Sequence, residues 1–221
     1  MPGAGEVWMV YDKWDRLVLT QDANQRPNQK WLFTKYDQLN RPIMTGFYTN
    51  STQTSLTAMQ GYLNTQNLAR FETYTPGTVE RYTFTNSFPV NTLANVLSMN
   101  FYDDYSWSGW HGPDWNNKDN SFDNYLLTAS TTLFPYAEPV IQSVNTRGLV
   151  TGVWQPNSAP GLLVSYVYDN KERVIQTKNF NITEGRDITT TQYSFSGQPL
   201  VIVNHLDKKA PIRKHIPSLP N

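Results

Sequence analysis

The chain has 221 residues, zero formal net charge, no cysteine, and 16% charged against 14% aromatic residues. A neutral chain without basic runs argues against nucleic acid, because phosphate neutralisation supplies most of that affinity. No window of about 18 apolar residues offers a membrane-spanning helix, and the lack of cysteine removes disulfides, thiolate metal sites and a cysteine nucleophile.

In chain order, Met1 to Glu6 lack the charged-then-apolar pattern of a signal peptide. The chain therefore reads either as cytoplasmic or as an internal piece of a longer exported chain. Residues 8 to 20 (WMVYDKWDRLVLT) and 33 to 45 (FTKYDQLNRPIMT) share one frame: an extended segment, Tyr, Asp, three variable residues, Arg, and a second extended segment. Each reads as a β-hairpin in which Tyr11 or Tyr36 closes the first strand and Arg16 or Arg41 opens the second. Asp12 and Asp37 start the turn by bonding the backbone two residues on. The fourth loop position, Asp15 or Asn40, calls for a positive φ, which Asn, Asp and Gly tolerate.

Leu56, Met59, Tyr62 and Leu63 fall at helical spacing, which predicts one short amphipathic helix over 53 to 66. Residues 70 to 85 suggest two strands around Pro76-Gly77. Residues 97 to 105 carry a fainter unit that keeps Tyr102-Asp103 without the Arg, followed by a loop rich in Asp, Asn, Trp and Gly up to 124. Residues 139 to 153 suggest a strand pair about Asn145 to Gly148. The hairpin frame returns at 165 to 177 (SYVYDNKERVIQT), with Tyr168, Asp169 and Arg173, and at 190 to 202 (TTQYSFSGQPLVI), with Tyr193 and Gly197. Tyr11 and Tyr36 lie 25 residues apart, as do Tyr168 and Tyr193. Glu172 suits a positive φ poorly, so a strained or different turn is expected there. The stretch 207 to 221 reads as a linker or tail. The fold class is thus mainly β, an antiparallel sheet of hairpins with one short helix in central insertions at 46 to 96 and 106 to 164, arranged as one curved sheet or as two lobes.

For chemistry, His111, His205 and His215 are scattered and read as surface or loop histidines. No catalytic residues, metal site or cofactor are assigned, although a hydrolase using the carboxylates Asp103, Asp104 and Asp114 is kept as a third alternative. The acidic stretch from Asp114 through Asp119 to Asp123 has oxygen ligands at short spacing but lacks the sharp-turn Gly and the terminal Glu of a calcium loop. Tyr105, Trp107, Trp110 and Trp115 form the best ligand candidate, because flat rings beside Asp and Asn suit stacking on a sugar. The competing reading is an aromatic loop folded back onto the sheet. The repeat tyrosines read as sheet packing, and the arginines as locks on their turns.

The recurring Tyr-Asp-x-x-x-Arg hairpins with strand flanks resemble the YD repeats of the RHS family, which includes bacterial polymorphic toxins, the C components of Tc toxins and the animal teneurins. Residues 82 to 89, 96 to 105 and Arg147 to Gly152 resemble a subgroup of long RHS-repeat proteins, and the resemblance covers residues 6 to 206. It implies a non-catalytic stretch of β-sheet wall in an exported or cell-surface protein, enclosing or presenting another domain. It departs from the family in lacking the usual Gly before Arg in three units (Asp15, Asn40, Glu172) and the shell-closing segment with its autoproteolytic aspartates, so self-cleavage does not carry over. The implied partners are further repeats of the same parent chain or a second copy. The alternative is a carbohydrate- or cell-surface-binding module using the loop 105 to 115, with a glycan as partner.

Overall fold

The computed structural model describes residues 5–78, 80–110, 115–134, 136–158, 161–181 and 183–208, except for the Trp110 side chain. Ten strands form one antiparallel sheet in which each strand pairs with its neighbours in sequence. They are β1 (Trp8–Tyr11), β2 (Leu17–Gln21), β3 (Lys30–Tyr36), β4 (Pro42–Thr49), β5 (Val96–Asp103), β6 (Thr146–Gln155), β7 (Leu162–Tyr168), β8 (Val174–Phe180), β9 (Arg186–Tyr193) and β10 (Pro199–His205). The one α-helix among the described residues, α1 (Leu56–Thr65), lies between β4 and β5. Because the order is a simple meander, the connections β1–β2, β3–β4, β5–β6, β7–β8 and β9–β10 all emerge at one end of the sheet, here called the turn end.

Strand alternation decides which face is covered. In β3, Trp31, Phe33 and Lys35 are buried while Leu32 and Thr34 between them are half-buried, the period of two that sends alternate side chains to opposite faces. Register carries that face across the sheet: Lys35 faces Met44, Met44 faces Met99, Met99 faces Trp154, and Trp154 faces Leu163. Farther along, Ser165 faces Lys178, and Gln176 faces Thr190. Close packing shows at Gly46, where an added Cβ would lie 2.5 Å from the Phe33 ring.

Two connections fold over this face. The first, residues 50–95, contains α1, whose N-cap Ser55 accepts a bond from the Ala58 amide at 3.2 Å, satisfying one orphan donor of the first turn. Met59 and Leu63, four apart on one helical face, enter the core. The second, residues 104–145, is described in part and lies over β6 to β9.

The sheet differs from the sequence expectation in its middle. The helix is shorter than 53 to 66. The described residues between 70 and 85 hold an isolated bridge between Tyr74 and Tyr82 rather than two strands. The strand pair expected at 139 to 153 is one continuous strand, β6, which pairs with β5 on one side and β7 on the other. The fainter unit at 97 to 105 supplies β5, and its return strand is β6. Residues 46–49, 96, 146–155 and 162–164, assigned to insertions by the sequence, are therefore sheet. The tail lies outside the described residues from 209 onward.

Candidate functional site

The turn end concentrates the repeated polar residues, and three of its tight turns are built from their aspartate. The Asp12 amide donates to the Arg16 carbonyl (3.0 Å), and the Asp15 amide donates to the Asp12 carbonyl (3.0 Å). Asp12 Oδ1 accepts from the amides of Trp14 and Arg16 at 2.9 and 3.0 Å, while Oδ2 accepts from Arg16 Nε at 2.9 Å. Asp37 repeats this set on Leu39 and Arg41, and Asp169 repeats it on Lys171 and Arg173. In the last turn Ser194 stands in for the aspartate, and its Oγ accepts from the Gln198 amide at 3.1 Å. The fourth loop positions are left-handed throughout: Asp15, Asn40, Glu172 and Gly197 have φ of 59°, 62°, 61° and 89°. Glu172 therefore takes the same turn as its counterparts rather than a different one. The local aspartate bonds are enough to hold a residue in a region that disfavours its Cβ.

The β8–β9 connection, at the opposite end, uses this turn as well. The Asn181 amide donates to the Gly185 carbonyl, Asn181 Oδ1 accepts from the amides of Thr183 and Gly185 at 2.9 Å each, and Glu184 has φ of 60°. The sequence reading passed over it because it lacks both Tyr and Arg. Asn at the first loop position was the available signal.

The arginines also reach forward to the next unit. Arg16 lies over the Tyr36 ring at 4.7 Å, Arg41 over Tyr102 at 4.3 Å, and Arg173 over Tyr193 at 4.9 Å. In return, the Tyr36 hydroxyl donates to the Leu17 carbonyl (2.8 Å), Tyr102 to Pro42 (3.0 Å) and Tyr193 to Val174 (3.0 Å). In each case the acceptor is the residue after the arginine. Tyr168 donates likewise to Val150 of the preceding strand at 2.6 Å. Arg41 additionally grips Asp103 through two parallel bonds of 2.8 and 2.7 Å, the planar fork that suits a carboxylate.

Electrostatics follow from these contacts. Hydrogen bonding to Asp103 raises the Arg41 pKa above its ordinary value, against the opposing effect of burial, and Asp37 adds to the rise. The same bond from Arg41 holds the Asp103 carboxyl below the usual range, with burial opposing and the Gly148 amide assisting. For Asp169, burial works against ionisation, yet the bonds from Arg173 and Lys171 outweigh it and lower the pKa.

A glutamate from each connection wedges between turns. The Glu72 amide donates to the Tyr36 carbonyl (3.0 Å) and the Glu138 amide to the Tyr193 carbonyl (2.9 Å). Glu138 pairs with Lys171 and Arg173 at 2.6 and 2.5 Å. Glu72 turns inward and meets Lys35 at 2.6 Å with both side chains fully buried. Lys35 also donates to the carbonyls of Phe84 and Ser87, while Glu72 accepts from Thr83, Asn86 and Ser87. Every charge in this network thus has several partners, which a buried pair requires.

Of the aromatic candidates, Trp107, Trp115 and Tyr105 sit elsewhere and serve packing. Trp107 is 1% exposed, stacked on Phe101 at 4.9 Å, with its Nε1 donating to Thr151. An added Cβ at Gly152 would come within 2.3 Å of its ring. Trp115 is 2% exposed and packs against Phe180. These two rings therefore present no free face to a sugar. Tyr105 is half-buried and donates to the Tyr166 carbonyl at 2.8 Å. Trp110 lies in a short 3-10 turn, and its side chain is outside the described residues, as are His111, Asp114 and His215. His205 stacks on Phe122. Asp123 is paired with Lys118, and Asp119 accepts from the Ser121 amide and pairs with Arg186. Beside the second turn, Arg41, Tyr74, Tyr82, Tyr102 and Asp104 are among the residues lining a cavity of about 300 Å³.

Buried glutamines were missed by the sequence reading. Gln176 accepts from the Asp119 amide and donates to its carbonyl (2.8 and 2.9 Å), and Gln192 does the same to Leu127 (2.8 and 2.9 Å). Each side-chain amide acts as a peptide unit that fixes a loop to the sheet. Their strand positions, inward by alternation, were the signal. No protein-family model matches the chain, and no curated protein matches it either.

Proposed function

We propose that the chain is a non-catalytic structural segment of an exported or cell-surface protein of the RHS-repeat type, part of a β-sheet wall that encloses or presents another domain. The observation that carries this reading is the turn-end ladder, in which Arg16, Arg41 and Arg173 each lock their own turn and reach the next tyrosine. Groups committed to one another in this way hold successive hairpins in register, and a device repeated unit by unit suits an extendable sheet. Strand β10, whose outer edge has no strand beside it among the described residues, is the place for another repeat of the parent chain or a second copy, since an open edge is a template for pairing.

The test is limited proteolysis of the full parent polypeptide isolated from its host. The expected result is one protease-resistant body in which this segment and the adjoining domain stay together outside the cytoplasm or at the cell surface. Recovery of the segment as a free cytoplasmic protein, or a chemical turnover that disappears with Asp103→Asn or Asp104→Asn, overturns the reading.

A further inference from the structure

The ladder contains a vacancy at its first rung. Tyr36, Tyr102, Tyr168 and Tyr193 all donate their hydroxyls to a carbonyl of the preceding strand. Tyr11 occupies the same frame in β1, but among the described residues the sheet has no strand before it. Tyr11 is 42% exposed, and among the described residues its hydroxyl bonds only the Met9 sulfur, at 3.4 Å. Val7 and Met9, on the same strand segment, are 44% and 45% exposed.

The outward backbone of this edge is partly occupied. Gln60 of α1 accepts from the Tyr11 amide at 3.1 Å and donates to the Tyr11 carbonyl at 2.8 Å. One side-chain amide thus fills the rung that a neighbouring strand would use. Beside it, Met9 and the α1 residues Leu56, Gln60 and Gly61 line an open groove of about 430 Å³. The helix itself is held by burial of Met59 and Leu63, so Gln60 can swing away without the helix leaving.

We infer that the β1 edge is a docking site for a β-hairpin strand carrying an arginine, with Gln60 as a displaceable plug. The chemistry of the partner follows from the three filled Arg–Tyr rungs. The incoming strand opens with an Asp-x-x-x-Arg turn, sets its guanidinium over the Tyr11 ring, and offers the carbonyl of the next residue to the Tyr11 hydroxyl. Backbone pairing supplies affinity and the arginine supplies register. The inference rests on the structural reading above and names its partner and edge.

A labelled peptide covering residues 165–180, itself one such hairpin, is the probe, titrated against the whole chain by fluorescence anisotropy. Saturable binding is expected, at least fivefold weaker for the peptide with Arg173→Ala and for the chain with Tyr11→Ala. Gln60→Ala in the chain is expected to tighten binding at least threefold, with unchanged thermal unfolding showing that the fold is intact. No saturable binding to the wild-type or Gln60→Ala chain, binding indifferent to the arginine, or Tyr11-dependent self-association that the peptide does not compete overturns the docking site. If it fails while Arg16→Ala and Arg41→Ala still destabilise the sheet, the ladder stands and only the docking edge falls.

Discussion

Strands β1–β4 and β7–β10 are the same hairpin pair written twice, with Tyr11 and Tyr36 each 157 residues before Tyr168 and Tyr193. Their turns share one backbone hydrogen-bond pattern and a left-handed fourth position, yet their covered faces differ in chemistry. Leu19, Trp31, Phe33 and Lys35 of the first pair correspond to Gln176, Ile188, Thr190 and Gln192 of the second. The first face is covered by α1 and an aromatic cluster, and the ion pair Lys35–Glu72 is buried in it. The second is covered by a segment held through Gln176, Gln192 and Ser165 to backbone groups. The lesson is that the turn frame fixes the sheet, while the interior is free to use apolar burial or polar bonding according to what lies over it.

The largest expected effect breaks this contrast at one corresponding position. Lys35→Met leaves the Glu72 carboxylate buried without its cation and should cost about 3–5 kcal/mol. Gln192→Leu removes bonds to Leu127 and Glu138, leaving neutral backbone groups unpaired, and should cost about 1–3 kcal/mol. Urea unfolding of both variants measures the difference. Equal losses would show that the two interiors are not energetically distinct.

Gly152→Ala is next in size. The new Cβ has no room beside the Trp107 ring, and overpacking of this kind costs about 1–3 kcal/mol. Gly197→Ala at the turn end meets nothing within 4 Å but has φ of 89°, so its cost is conformational only, about 1 kcal/mol. Near-UV circular dichroism separates the two, because only the first disturbs a buried tryptophan.

Those two glycines also mark what the sequence could and could not reveal. The turn glycine was readable, because a local pattern of Tyr, turn residues and following strand determines φ within a few residues. The helix was readable from the spacing of Leu56, Met59 and Leu63. The partner of Trp107 was not, since an aromatic loop residue looks the same whether it meets a sugar or a glycine on a distant strand. The β5–β6 pairing was hidden for a related reason: loop closure entropy grows only slowly with length, so nothing local announces a return strand after 104–145. Gln176 and Gln192 carry no local mark of burial, because a strand glutamine looks the same in sequence whether it faces water or bonds a distant loop.

Acid should weaken the first pair where Arg41 ties it to Asp103 of β5, and the second at its Asp169 turn. The folded-state pKa of Asp103 is lowered by Arg41, and that of Asp169 is lowered despite burial by Arg173 and Lys171. A lowered carboxylate pKa adds stability that is complete above the unfolded value of about 3.9 and is lost as pH falls through the folded value. The urea midpoint should therefore fall below about pH 4, and Asp169→Asn should flatten that fall while lowering the midpoint at neutral pH.

The smallest expected effect isolates a single rung of the ladder. Tyr36→Phe deletes a hydroxyl that bonds the Leu17 carbonyl at 2.8 Å, and a net loss of about 1 kcal/mol is expected. Tyr193→Phe, its counterpart bonded to Val174, should lose about the same. Tyr11→Phe removes the corresponding hydroxyl where it meets a sulfur and no carbonyl among the described residues, and should leave the midpoint unchanged. Matched losses at 36 and 193 with none at 11 would show that a rung contributes stability only when a preceding strand completes it, whichever interior lies beneath. A loss at Tyr11 equal to the others would mean that the tyrosine acts within its own hairpin, and the ladder would then be a consequence of the sheet instead of a cause.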